Sequence, residues 1–108
     1  MVIDYNAIEW KENPEFKGGK GVFFNKAVVD GNGKMMMGRL TPGSSIGYHT
    51  HEGNAETIYI ISGSGIELSD GVEFPAVPGN VHYCADGHSH SLMNCSESED
   101  LVFFAVIK

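Results

Sequence analysis

Apolar and polar positions alternate along most of this chain in runs too short for helices, so the pattern reads as strands separated by turns. Val22 to Val29 is rich in β-branched and aromatic residues. Asp30-Gly31-Asn32-Gly33 is a tight-turn signal, because such turns need positive φ, so Lys34 to Leu40 is expected to return antiparallel. Thr41-Pro42-Gly43-Ser44 turns again, and Ile46 to His51 and Glu56 to Ser62 follow as strands. Ile66 to Leu68 and Val72 to Phe74 form a small hairpin about Ser69-Asp70-Gly71, and Pro75 and Pro78 are expected to interrupt pairing. Val81 to Cys84, Ser89 to Asn94 and Leu101 to Ile107 complete the set, with Ser96 to Asp100 a solvated acidic loop. Residues 1–20 are irregular. Val2-Ile3 reads as a short edge strand, Asn6 to Trp10 as a turn or a strand, and Lys11 to Pro14 as loop. Gly18-Gly19-Lys20-Gly21 is a plain turn, since a phosphate cradle needs a helix directly after it and Val22-Phe23-Phe24 is strand-like. Many short strands and no helical period predict an all-β sandwich or barrel in a single domain.

Composition narrows the partners. The 108 residues suit one core, and 42% hydrophobic content is ordinary for a globular domain. A net charge of −7 argues against nucleic acid and anionic membrane surfaces. It leaves room for an anionic ligand, because a bound divalent cation dominates the field of its own pocket. Met1 to Asp4 does not open a secretory signal and no apolar run reaches membrane-spanning length, so a cytoplasmic location is expected. Cys84 and Cys95 read as reduced thiols. Met35-Met36-Met37 reads as core filling, since consecutive strand residues face opposite ways and cannot converge on one ion.

The chemistry concentrates in the histidines. His49 and His51 sit two apart on a strand and so share one face. If Glu56 opens the next antiparallel strand, its carboxylate faces the same interior, with Ile58 and Ile60 as apolar walls and Thr57 and Tyr59 outside. His90 is available from a neighbouring strand whose inward positions are His90, Leu92 and Asn94. Three imidazoles and one carboxylate suit a divalent transition metal such as Mn, Fe, Zn, Ni or Co. His88 lies two before His90 and reads as a loop residue, or as a proton shuttle at the pocket mouth. His82 is given a supporting or surface role.

The frame around these residues resembles the cupin superfamily. Gly43, five residues, His49-x-His51, four residues, Glu56, six residues and Gly63 match its first motif. Gly79, Gly87, His90 and Asn94 match the second, with Ala85 where that motif has proline. The resemblance implies a double-stranded β-helix, the cupin jelly-roll barrel, over residues 21–108, with His49, His51, Glu56 and His90 as metal ligands. The chain is most similar to short stand-alone cupins of the oxalate-decarboxylase type. Those enzymes carry an arginine three residues before the first histidine ligand, where this chain has Ile46, and a proton-donating glutamate on a lid after the last strand, where this chain reaches Lys108. The resemblance therefore implies a metal site for a small oxygenated or carboxylate ligand. The expected function is a metal-dependent enzyme of dioxygenase, decarboxylase or isomerase type, with a binding module without turnover, or an ion kept for stability, as the alternatives. Leu101 to Ile107 is apolar on both faces and should be covered on both. One cover is a second copy, a homodimer with residues 1–20 exchanged. The rival cover is residues 1–20 folded over their own barrel.

Overall fold

Ten antiparallel strands form two sheets whose inner faces share one core. The computed structural model describes residues 1–108. The strands are β1 (Lys11–Pro14), β2 (Val22–Asp30), β3 (Gly33–Leu40), β4 (Ser45–Thr50), β5 (Glu56–Ser62), β6 (Gly65–Ser69), β7 (Val72–Ala76), β8 (Val81–Cys84), β9 (Ser89–Asn94) and β10 (Leu101–Ile107). One sheet has the order β1-β2-β3-β10-β5-β8 and the other β4-β9-β6-β7. Short 3-10 turns occupy Tyr5–Ala7 and Phe16–Gly18. No helix is long and apolar enough to cross a membrane.

The nine strands expected from the alternation are all present, and the first twenty residues and the hairpin differ from expectation. Lys11–Pro14 is a strand, pairing with Val22 to Asn25 at the sheet edge. An edge strand tolerates Pro14 and charged residues, which is why its sequence reads as loop. Val2-Ile3 forms no strand. Pro75 pairs with Ile66 inside β7, again an edge position where a missing N–H costs no ladder bond.

The core follows the strand period. On β5, Glu56, Ile58 and Ile60 are buried while Thr57 and Tyr59 are exposed. Phe23 and Phe103 stack with ring centroids 5.9 Å apart, and Leu40, Leu92, Leu101 and Ala105 close around them. The outer face of β10 is half-buried, and Tyr5 packs edge-on against Phe104 at 6.0 Å. The chain's own first residues thus supply part of that cover.

Two glycines hold the site's frame. Gly63 has φ +83, and a Cβ there would lie 2.2 Å from the Asp100 carbonyl oxygen, so only glycine fits this turn after β5. Gly47 lets the segment after β1 press onto β4, since its Cβ would lie 2.0 Å from the Lys17 carbonyl oxygen. It also begins a bulge. Ile46 pairs with Leu92 and His49 with His90, so Gly47 and Tyr48 oppose Ser91 alone. That extra residue lets Ile46 and His49, three apart, both face inward.

Candidate metal centre

His49, His51, Glu56 and His90 meet in the wall of a cavity of about 340 Å³. One ligating atom from each lies within 4.8 Å of every other. His49 comes from β4 and His51 from the residue just past it. Glu56 opens β5, and His90 lies on β9. Reciprocal backbone bonds hold His51 to the turn before β9: its N–H donates to His88 O at 3.0 Å, and Gly87 N–H donates to His51 O at 2.7 Å. These bonds anchor the turn that lacks the motif's proline. Asn94 anchors the other end of β9, donating to Leu40 O at 2.9 Å and Glu99 O at 2.8 Å.

Each ring has its outer nitrogen occupied. Nδ1–H of His49 donates to Gly47 O at 2.7 Å, that of His51 to Asn54 Oδ1 at 2.7 Å, and that of His90 to Glu67 Oε1 at 3.2 Å. These bonds fix the tautomers and leave the Nε2 lone pairs for the centre. Nε2 of His51 and Nε2 of His90 lie 3.0 Å apart, and Glu56 Oε1 is 3.2 Å from the first and 3.0 Å from the second. Two lone pairs and a carboxylate facing one another in a buried space repel unless a cation joins them. The donor set therefore fits a metal.

Protonation shows the same demand. Burial opposes charge on His90, but hydrogen bonds to Glu56 and Glu67, with their charges, outweigh it and raise its pKa to about 9. Burial lowers the pKa of His49, against the raising effect of Gly47 O and with further lowering from His90 and His51. In metal-free protein the proton on His90 stabilises the fold fully below the ordinary value of 6.5, and this is lost as pH rises through about 9. Melting of chelator-treated protein is expected to shift downward between those two pH values. The metal-loaded protein has already released that proton and should show no such fall. Thermal melts across the range, with chelator and with manganese, check this.

Glu67 is the residue that sequence reasoning missed. It is 1% exposed on β6 and also holds His82 Nδ1 through Oε2. Burial disfavours its charge, yet the hydrogen bonds from His82 and His90 outweigh this and lower its pKa. Of the supporting and surface roles left open for His82, its pairing with Glu67 favours the first. His88 is not brought to the cluster. It is exposed, with Nδ1 2.5 Å from Asp70 Oδ2, and Asp70 Oδ1 accepts from Ser89 N at 3.0 Å.

The cavity walls are mainly apolar, from Phe16, Phe23, Met36, Ile46, Ile58, Leu92 and Ile107. Its volume sits at the small end of the roughly 300–1,000 Å³ usual for small-molecule sites. Two facing antiparallel sheets with a histidine–carboxylate centre inside define a class, and comparison with known proteins agrees. The chain belongs to the cupin family: the Cupin domain matches residues 36–107. It is 34% identical to an oxalate-binding protein of Thermotoga maritima, over 99% of this chain and 93% of that protein. A crystal structure of a predicted oxalate decarboxylase from Thermotoga maritima superposes with TM-score 0.93 at 34% identity, covering 99% of this chain and 97% of the other. KdgF from a Halomonas species shares the fold, with TM-score 0.80 at 15% identity over 99% of this chain and 92% of its own.

Proposed function

We propose that this chain binds one divalent transition metal through His49, His51, Glu56 and His90 and uses it to hold a small carboxylate ligand. The observation that carries this reading is the convergence of four potential ligand atoms within 4.8 Å in the wall of a mainly apolar cavity. Manganese, iron, zinc, nickel and cobalt all suit the donors, and a bound ion with open positions supplies a Lewis acid and template. The name of the Thermotoga relative makes oxalate the first ligand to test.

Binding without turnover has more support than dioxygenase, decarboxylase or isomerase chemistry. Ile46 stands where the similar decarboxylases carry an arginine, and it lies buried in the cavity wall. The cavity's carboxylates are Glu56, taken by the centre, and Glu52 at the exposed mouth. A free carboxylic acid aimed at a metal-held ligand, the kind of donor the similar decarboxylases carry, is therefore not supplied by the walls. Calorimetry with oxalate should give binding heat from metal-loaded protein and none from chelator-stripped protein, with oxalate recovered intact. Consumption of oxalate with release of formate and carbon dioxide would install the enzyme reading instead.

The unpaired thiols, Cys84 buried and Cys95 exposed, fit the cytoplasmic location expected above. A homodimer belongs to the same proposal. Tyr59 and Ile61 on β5 and Val81 and Tyr83 on β8 are between 42% and 62% exposed, on strands that pair directly. A second copy would cover this outer face. Light scattering should give about twice the chain mass of 11.7 kDa. A monomer at every concentration would remove the dimer.

A further inference from the structure

The cavity contains two lysines that the metal centre does not use. Lys34 begins the inward series Lys34, Met36, Gly38, Leu40 on β3, and the last three are buried or close-packed. Its register places it beside Ile107, and Ile107 beside Glu56. Directly opposed residues share a face, so Lys34, Ile107 and Glu56 form one inward row across three strands. Two inter-strand spacings of about 4.8 Å put the Lys34 backbone about 10 Å from Glu56, a gap that a four-carbon stem largely spans. Lys34 is half-buried, lines the cavity and makes no ion pair.

Lys17, exposed and with its ammonium 5.8 Å from the Phe16 ring centroid, lines the rim of the same cavity from the segment after β1. Its φ is +56 and that of Glu15 is +48, left-handed conformations that side chains rarely adopt. The segment is pinned in this shape. Ser45 N donates to Lys20 O at 2.8 Å, Lys20 N to Ser45 Oγ at 3.0 Å, and Phe16 packs on Phe23 with centroids 5.1 Å apart. The strained backbone places Phe16 and Lys17 together in the cavity wall.

We infer that Lys34, with Lys17, is the charge-selecting element of this cavity, and that the ligand class it selects is a small dianion, with one carboxylate at the metal centre and the other toward the two ammonium groups. This rests on the metal-dependent binding proposed above. A divalent ion with Glu56 carries one net positive charge; the two lysines add two and Glu52 removes one, leaving two positive charges for the ligand to balance. The lysines thus supply the cationic function that Ile46 cannot.

Oxamate tests this directly, because it keeps the shape of oxalate and replaces one carboxylate with an amide. Calorimetry on manganese-loaded protein, with metal content measured for each variant, should show wild type preferring oxalate by about tenfold or more. Lys34→Met should bring the two ligands to similar affinity, by weakening oxalate and leaving oxamate unchanged, at full metal occupancy. Lys34→Arg should restore the preference, and Lys17→Ala should reduce it partly. A Lys34→Met protein that keeps the wild-type ratio, or a fully loaded wild type that binds both ligands equally, overturns the inference while the metal site stands. Wild type that takes up no metal overturns both.

Discussion

His51→Ala is expected to purify with only trace metal, where wild type purified without added metal carries one divalent ion per chain. His51 is 7% exposed and contributes the Nε2 that faces both Glu56 and His90. Its loss removes one donor and opens a gap between the remaining ones. It also frees Asn54, whose amide oxygen accepts from His51 Nδ1 at 2.7 Å. An ion that binds only the folded state at 100 to 1,000 times its dissociation constant stabilises it by about 3–4 kcal/mol. For a domain near 100 residues that corresponds to a melting shift of at least about 10 °C. Elemental analysis and thermal melts on both proteins measure the two effects. His88→Ala is the control: that ring sits outside, against Asp70, and its removal should leave metal content unchanged. Equal metal in His51→Ala and wild type would end the assignment.

Glu67→Gln should weaken metal binding by roughly 10–100-fold, the usual cost of losing the group that orients a ligating histidine. Glu67 accepts from Nδ1 of His90 with one oxygen and pairs with His82 through the other. A glutamine offers one oxygen and one NH2, so one of the two imidazoles loses its acceptor. If that ring is His90, Nδ1 no longer holds the proton in place and Nε2 is no longer reserved for the ion. The negative charge that makes the ring a stronger donor is gone as well. Competition against a chelator of known affinity reads this directly. A variant that melts lower yet binds metal within twofold of wild type would reduce Glu67 to a packing role.

The barrel and the convergence of His49, His51, Glu56 and His90 were legible because both are written locally. Alternation fixes which side of a strand a residue takes, and the interval between His49, His51 and Glu56 spans one strand, one turn and the next strand start. Glu67 was not legible because its neighbours mislead. Ile66 and Leu68 flank it, and alternation alone would turn those two inward. Pairing of Glu67 with Leu92 on β9 decides otherwise, and that register is a long-range fact. Lys34 was hidden for a related reason: a charge at the end of a strand reads as turn flank until β10 and β5 align it with Glu56. The bulge at Gly47 and Tyr48 is likewise set by a partner strand rather than by its own residues.

The central claim is best tested by anomalous scattering from a crystal of protein purified without chelator, measured on both sides of the metal's absorption edge. The account predicts a single peak about 2.0–2.3 Å from Nε2 of His49, His51 and His90 and from a carboxylate oxygen of Glu56, with its open side toward the cavity. A cavity without a peak, or a metal bound elsewhere while these four side chains turn apart, would contradict it.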